Sequence, residues 1–352
     1  MTRIGILGGT RFIGVHLINA ALAKNWEVSI FNRGVSKPPV KIPENVEWVK
    51  GDRNRPQDLE NFFKKDYDFV FDLSAGKLSH VRPIAENYSP KIGHYVFCST
   101  SVVYQQPMPL PCDENAVRTK KSGTYGGEKA LCEELLLDYW GKRNWPVTIF
   151  RPQAIFGEYD AGAQLQYVFS RLKNGVPILL GKRSDPKTNM LFVNDLTSAF
   201  LKSVENSNSH GQVYNIAGNE ELNQTTLVEL CWKTSGLRIA MAKFNEPLYR
   251  GFDLGNPWPQ SSAVLSNSKI KSELNLEFTP LKEAIGLTWK WLEQNPEQLK
   301  VELGRGETYA LNGKPIPQMK QLRWKFDDAV EKIRRSFMPF MVEARAAKRA
   351  IE

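Results

Sequence analysis

Short runs of apolar and β-branched residues recur through the first half of the chain, at Arg3–Leu7, Glu27–Phe31, Val46–Val49, Tyr67–Leu73, His94–Cys98 and Pro146–Phe150. Between them apolar positions fall at helical spacing, most clearly over Ile13–Lys24 and Glu128–Lys142. A strand covered on both faces reads as a continuous apolar run rather than as an alternation. Helices between such strands imply a parallel sheet with helices on either side. Residues 1–160 are therefore predicted to form an α/β domain built on a doubly wound parallel sheet, with return segments near 188–218.

After about Gly157 the rhythm loosens. Polar loops containing Pro and Gly, at Gly181–Thr188 and Pro247–Pro259, separate shorter elements. Val213–Ile216 reads as one more buried strand and Lys282–Glu293 as a helix. Residues 161–298 are expected to form a smaller substrate lobe, interleaved with the sheet and closing over a ligand. Residues 299–352 read as a helical extension: Phe326, Val330, Ile333 and Phe337 fall on one helical face, with Lys332, Arg334 and Arg335 on the others. Pro339 should end or kink that helix. It is expected to dock on its own body or on a second subunit; an RNA or an anionic membrane is the alternative partner for such a basic amphipathic helix.

Composition narrows the class. At 352 residues the chain exceeds one ordinary compact core. Its 41% hydrophobic and 24% charged residues exclude general disorder. The formal charge of +9 admits nucleic acid, an anionic surface or a phosphorylated ligand as partner without choosing among them. Cys98, Cys112, Cys132 and Cys231 show neither a C-x-x-C pair nor metal-like spacing, which fits a reducing compartment and no metal. The chain enters a strand at once without a signal-peptide pattern, and no apolar run is long enough for a membrane span. A cytoplasmic protein is the expectation.

The most informative segment is Leu7-Gly8-Gly9-Thr10-Arg11-Phe12-Ile13-Gly14, between the first strand and the first helix. A dinucleotide needs a tight turn here so that backbone can touch its pyrophosphate, and a helix N-terminus to supply N–H groups and partial positive charge. Gly8 and Gly14 take the outer places of a G-x-x-G-x-x-G pattern, and Arg11 replaces the middle glycine. The second strand ends at Asn32-Arg33, where an acidic residue would bind the ribose 2′-hydroxyl of NAD. An arginine suits the 2′-phosphate of NADP, so NADP is the expected cofactor and NAD the alternative. Arg11 would add a second positive charge. Asp52 and Arg53 end the third strand, where the Asp would reach the adenine.

Of the 11 tyrosines only Tyr125 has a lysine four residues on, at Lys129. On a helix these two side chains share a face. A tyrosine near its ordinary pKa of about 10 is a poor acid–base group at neutral pH. A lysine ammonium and a cationic nicotinamide ring would favour the phenolate. Upstream, Ser99-Thr100-Ser101 places three hydroxyls at a strand end, able to bind a substrate oxygen or simply to satisfy loop backbone. Gly126 and Gly127 are costly at a helix start; close approach of a ligand or a strained turn would explain them.

Together Gly8–Gly14, Asp72-Leu73-Ser74-Ala75-Gly76, Ser99–Tyr104, Tyr125–Lys129 and Arg151-Pro152-Gln153-Ala154-Ile155-Phe156-Gly157 resemble the short-chain dehydrogenase/reductase superfamily, in its extended, epimerase-like branch, over roughly residues 1–295. The resemblance implies a Rossmann-type sheet and a homodimer. It makes Tyr125 the catalytic acid–base, Lys129 its partner and a ligand of the nicotinamide ribose, and Thr100 the catalytic hydroxyl. Ser74, Ala75 and Gly76 would line the cofactor, and Pro152 would sit by the nicotinamide amide. Arg11, Asn32-Arg33 and Arg-Pro-Gln resemble an atypical subgroup that includes bacterial epimerase-like reductases and plant chloroplast stem-loop RNA-binding relatives. The arginine that clamps a substrate diphosphate in nucleotide-sugar epimerases is replaced by Lys187-Thr188-Asn189-Met190, with Lys182, Arg183 or Lys187 as substitutes.

Three functions stay open on these residues. The first is an NAD(P)-dependent oxidoreductase working on a carbonyl or hydroxyl of a small molecule. The second is a nucleotide-sugar epimerase or dehydratase that keeps the hydride internal. The third is a non-catalytic RNA-binding protein on the same fold.

Overall fold

Ile4 and Ile6 face one side of the first strand and Leu7 the other, and that alternation repeats across the molecule's central sheet. The structure is a computed structural model and describes residues 1–160, 164–180, 186–243, 257–259, 261–301, 303–324 and 327–328. Its order runs β1 (Arg3–Leu7), α1 (Ile13–Ala23), β2 (Glu27–Asn32), β3 (Glu47–Lys50), α2 (Pro56–Phe62), β4 (Tyr67–Asp72), α3 (Leu78–Asn87), β5 (Ile92–Cys98), α4 (Tyr125–Arg143) and β6 (Val147–Pro152). There follow β7 (Ile155–Phe156), α5 (Gln164–Asn174), β8 (Ile178–Leu180), β9 (Leu191–Phe192), α6 (Val193–Val204), β10 (Gln212–Ile216), α7 (Gln224–Ser235), β11 (Met241–Lys243), α8 (Ser268–Leu274), α9 (Leu281–Gln294) and α10 (Glu307–Leu311).

Seven strands pair in parallel in the order β10-β6-β5-β4-β1-β2-β3. This is the Rossmann arrangement: the chain leaves β1 toward β2 on one side and returns to β4 on the other, opening a crevice above the strand ends. One face of the sheet packs Ile4, Ile6, Val96 and Phe150 against Leu17 and Ile18 of α1 and Leu196 and Phe200 of α6. The opposite face packs Val70, Tyr95, Phe97 and Ile149 against Val81 and Ile84 of α3 and Cys132 and Leu136 of α4. Each predicted strand is present, with ends shifted by at most two residues.

The chain divides into two compact units, elsewhere than at the expected 160/161 and 298/299 boundaries. The first holds Met1–Val176, Ser184–Ile239 and Pro257–Val301. Much of the expected second lobe belongs here because β10 extends the sheet beside β6, and Ile270 and Leu274 of α8 pack into the same core as α6. The second unit holds Pro177–Arg183, Ala240–Asn256 and Glu302–Glu352. In it β8 pairs in parallel with β11, and Leu179 packs with Ala310 and Ile316. The tail helix expected around Phe326, Val330, Ile333 and Phe337 lies outside the described residues, as do Lys182 and Arg183. No helix among the described residues is long and apolar enough to cross a membrane. All four cysteines are buried free thiols.

Candidate active site

The first loop above the sheet is the glycine turn. Gly8 and Gly9 take φ of 117° and 90°, a region closed to most L side chains, and so lead the chain directly from β1 into α1. A Cβ on Gly8 would fill the space against Cβ of Leu73 and of Ser74, each 3.5 Å away, so the turn and the end of β4 form a cradle that a side chain would occupy. Phe12 precedes α1 with no side-chain cap; Gly14 N and Val15 N donate to the Arg11 and Phe12 carbonyls, while Ile13 N makes no hydrogen bond among the described residues. A dinucleotide pyrophosphate fits these residues. Gly14 has a different role: its Cβ would lie 2.3 Å from Cα of Gly9 and 2.5 Å from its carbonyl oxygen. Gly14→Ala is therefore expected to force turn and helix apart, costing about 1–3 kcal/mol in a urea melt and weakening dinucleotide binding by more than roughly tenfold in a fluorescence titration.

Asn32 is occupied by the protein itself. Its Nδ2 donates to the Gly8 carbonyl at 2.8 Å, and its Oδ1 accepts from Gly34 N at 2.9 Å and Trp48 Nε1 at 3.3 Å. It thereby ties the end of β2 to the glycine turn. Arg33 beside it is exposed and carries no ion pair among the described residues, as is true of Arg11. Asp52 accepts from the backbone and side chain of Asn54, and burial, opposed by those bonds and by Arg33 and Arg55, leaves its carboxyl below the usual range.

Arg53 is turned inward. Its guanidinium meets both oxygens of Asp72, at 3.1 and 2.6 Å, and Ser74 Oγ at 3.0 Å. Asp72 is fully buried and also accepts from Tyr95 Oη and from the backbone N–H of Ser74 and Ala75. Burial pushes this carboxyl up, but the Arg53 charge and the donors around it outweigh burial and hold it below the usual range. The stabilisation is therefore fully present above about pH 4, the ordinary value of a free aspartate, and is lost as pH falls through the lower folded value. Asp72→Asn is expected to destabilise the protein at neutral pH, the gap to the parent narrowing in urea melts taken toward pH 3. The same pair shapes the segment Ser74-Ala75-Gly76, whose first two N–H groups are directed at Asp72.

The reacting groups predicted from sequence meet in one cleft. Phe12, Ile13, Thr100, Tyr125, Lys129 and Pro152 line a cleft of about 600 Å³ above the ends of β1, β4, β5 and β6, entirely within the first unit. Gly8, Thr10, Arg11, Arg33, Asp52, Arg53, Ser74, Ala75 and Gly76 occupy the loops after β1 to β4, Asn32 ends β2 and Gly14 lies in the first turn of α1; none of them lines the cleft.

Helix α4 begins three residues before the predicted Glu128 because Thr124 caps it. Thr124 Oγ1 accepts from Gly127 N at 3.2 Å, and Glu128 reaches back to Gly123 N. Tyr125 is thus the first helical residue, 57% exposed, and its hydroxyl makes no hydrogen bond among the described residues. Lys129, one turn on, is buried; its Nζ donates to the Cys98 carbonyl at 2.6 Å and lies 5.9 Å from the Tyr125 ring centre. Burial lowers the Lys129 pKa, and burial with the nearby Cys98 thiol raises that of Tyr125. The downward shift expected for Tyr125 is thus not a property of the protein alone. Thr100 Oγ1 accepts from Val102 N at 3.3 Å, which leaves its own proton for a partner in the cleft. Of the two explanations open for Gly126 and Gly127, a ligand or a tight turn, close backbone packing accounts for them. Their Cβ atoms would each lie 2.1 Å from a backbone oxygen, of Val102 and of Lys121. The glycines let α4 sit against its own loops.

Beneath the cleft lies a buried network that sequence reasoning missed. Glu133, fully buried on α4 one turn beyond Lys129, accepts from Ser99 Oγ at 2.5 Å, from Arg151 Nη2 at 2.7 Å and Nε at 3.1 Å, and from Arg118 Nη1 at 3.2 Å. Arg151 continues to Tyr104 Oη at 2.8 Å, and Tyr104 to Asn215 Oδ1 at 2.6 Å. An acid at i+4 from Lys129, on the inward face of the helix, was the available signal; the arginines that meet it carry no local mark. In the segment that replaces the diphosphate clamp, Lys187 is exposed and 3.8 Å from Glu221. Asn189 is buried, its Nδ2 on the carbonyls of Gly218 and Leu265.

Comparison with known proteins agrees with this architecture. A model of the NAD dependent epimerase/dehydratase family matches residues 4–217. The chloroplast stem-loop binding protein of 41 kDa b from Arabidopsis thaliana is 30% identical over 247 residues, covering 66% of this chain and 63% of that protein. The chain thus spans less than two thirds of that relative's length. The bifunctional UDP-glucose 4-epimerase and UDP-xylose 4-epimerase 1 of Pisum sativum is 23% identical, covering 84% of this chain and 96% of that one. Among solved structures, dTDP-glucose 4,6-dehydratase from Bacillus anthracis in complex with NAD superposes with a TM-score of 0.71 at 20% identity, covering 84% of this chain and 98% of that one. The family model covers more than half of the chain: the protein belongs to the NAD dependent epimerase/dehydratase family, in the extended branch of the short-chain dehydrogenase/reductase superfamily.

Proposed function

We propose that this protein is an NAD(P)-dependent oxidoreductase that acts on a carbonyl or hydroxyl carbon of a small molecule, with Tyr125 as the acid–base. The observation that carries this reading is the meeting of an unengaged Tyr125 hydroxyl with Lys129 and Thr100 in one cleft, beside a glycine turn shaped as a cradle. Gly8 to Gly14 would hold the pyrophosphate, Ser74 to Gly76 would flank the dinucleotide, and Lys129 and Pro152 would lie at its nicotinamide end. When bound, the nicotinamide ring supplies a hydride donor or acceptor.

The chain's own residues manage the proton. Tyr125 Oη gives a proton to the substrate oxygen in reduction and takes it in oxidation. Thr100, already accepting from Val102 N, donates its hydroxyl proton to the same oxygen and fixes its place. Lys129 keeps positive charge beside the phenol, and the Cys98 carbonyl holds its Nζ in place.

Fluorescence titration with NADH and, in parallel, NADPH tests the reading. Saturable binding of either supports it, and absence of both removes it. Tighter NADPH binding would support Arg33 and Arg11 as a 2′-phosphate site; tighter NADH binding would give this chain the cofactor carried by the dehydratase from Bacillus anthracis.

Family membership favours a second reading, in which oxidation and reduction alternate on one sugar carbon and the hydride stays inside. NAD retained through purification, with turnover of a nucleotide sugar, would select it. A third reading, binding of a nucleic-acid stem-loop, is favoured by the name of the Arabidopsis relative and by the charge of +9. Steeply salt-dependent binding of an RNA hairpin supports that reading, and no binding at low salt removes it.

A further inference from the structure

We propose that Gln153 selects the substrate, its side-chain oxygen accepting a hydrogen bond from a hydroxyl of a sugar-like molecule held in the Tyr125 cleft. The proposal rests on the hydride chemistry assigned to that cleft and names the group beside the reacting carbon that the protein reads.

Gln153 follows Pro152 at the end of β6, is 6% exposed, and lines the cleft with Tyr125 and Thr100. Its Nε2 donates twice, to Thr188 Oγ1 at 2.9 Å and to the Ala263 carbonyl at 3.2 Å. A backbone carbonyl only accepts, so the amino side of the carboxamide must face Ala263, and chemistry alone fixes which way the group points. Oε1 is left on the other side. It accepts no hydrogen bond among the described residues, and it is not one of the sealed side-chain atoms that lack a partner. Because Gln153 lines the cleft, this unpartnered oxygen is the polar group its side chain has left for a molecule bound there.

The backbone holds this oxygen in place. Gln153 N donates to the Ile216 carbonyl at 3.1 Å. Ala154 takes φ of 39°, in the left-handed region, and its carbonyl accepts from Leu191 N at 3.2 Å. A nearly buried carbonyl oxygen, pinned in orientation and offered no donor by the protein, discriminates by what it leaves unpaired: a ligand with a donor satisfies it, and an analogue without one does not. An ionised carboxylate or phosphate cannot donate and is repelled by the carbonyl dipole. The matching group is a hydroxyl, the commonest donor beside a carbon that undergoes oxidation in a sugar. A free hexose and a nucleotide-linked hexose both carry it.

The test is ligand-observed saturation-transfer NMR on the full chain with saturating NAD+, using D-glucose and UDP-glucose and their monodeoxyfluoro derivatives as probes. Fluorine keeps the size of a hydroxyl and cannot donate. In the parent protein, fluorine at one ring position is expected to weaken binding by about tenfold, and in Gln153→Met the same replacement should change nothing. The probe that binds tells whether the hexose is free or nucleotide-linked. A merely structural glutamine would weaken every probe alike and leave the position dependence intact, which would overturn the proposal. No binding of either probe would overturn it as well. Should Gln153→Met not fold, Gln153→Asn withdraws the oxygen by one methylene and is expected to lose the same discrimination. NAD+ titrations of the same samples keep the failures apart. A parent protein that does not bind NAD+ contradicts the hydride reading itself. A variant that loses NAD+ affinity but keeps the sugar discrimination assigns Oε1 to the cofactor instead.

Discussion

Replacing Tyr125 by phenylalanine is expected to lower turnover by roughly 10²–10⁴-fold while leaving dinucleotide affinity and thermal stability unchanged. The hydroxyl is the only atom removed. Among the described residues it makes no hydrogen bond, and the ring is more than half exposed, so no buried partner is stranded and no cavity opens. Turnover with an accepted carbonyl or hydroxyl substrate, a cofactor titration and a thermal melt separate the outcomes. Loss of activity alone marks a proton-transfer group. Loss of cofactor affinity as well would make Tyr125 part of the binding surface, and unaltered turnover would remove it from the chemistry.

The second large effect concerns stability and lies below the cleft. Glu133→Ala is expected to cost about 3–5 kcal/mol, read as a shift of the urea midpoint. Arg151 is 3% exposed and takes most of its charge balance from that one carboxylate. Burial alone would lower the Arg151 pKa, and the hydrogen bonds and charge of Glu133 reverse this and hold it above its ordinary value. Removing the carboxylate leaves the buried Arg151 cation with only the Tyr104 hydroxyl and the Glu114 carbonyl as partners and no counter-charge, together with an unpaired Ser99 hydroxyl. The cost comes from the stranded charge rather than from any large intrinsic value of the pair, since an ion pair taken out of water gains little over a packed apolar one. Glu133→Leu combined with Arg151→Met should therefore recover most of the loss. If the double variant is as unstable as Glu133→Ala, the network owes its weight to geometry that apolar packing cannot replace. Because Glu133 joins α4 to the ends of β5 and β6, the single variant should also blur the relation of Tyr125 to Thr100.

The strands were legible because a parallel sheet buried on both faces leaves uninterrupted apolar runs, and Arg3–Leu7 matches to the residue. The glycine turn was legible because Gly8 and Gly9 take positive φ that few other residues tolerate. Tyr125 and Lys129 were legible because helical spacing puts them on one face and because the pair follows the fifth strand of the sheet. Local pattern failed where a partner comes from far along the chain. Arg53 suits a nucleotide when read in its loop, but Asp72 claims it from 19 residues away. Gly126 and Gly127 signalled a close approach, and only the packing of Val102 and Lys121 shows that backbone makes it. Gln153 was visible in the Arg-Pro-Gln stretch, yet its orientation depends on Ala263, 110 residues further on. The return of the chain to the sheet as β10 falls within the segment expected near 188–218, whereas the boundaries expected near 160 and 298 followed a change in rhythm that the compact units do not follow.

The central claim is that Tyr125 is the proton-transfer group of a nicotinamide-dependent site, and it can be tested without knowing the substrate. The measurement is an ultraviolet difference titration of tyrosine ionisation, on the parent protein and on Tyr125→Phe, with and without saturating NAD+. In the protein alone, burial holds this phenol above its ordinary value. With NAD+ bound, one tyrosine of the parent is expected to ionise well below that value, and the signal should be missing from Tyr125→Phe. A titration in which NAD+ binds but no tyrosine moves down, or in which the low signal persists in Tyr125→Phe, would contradict the account.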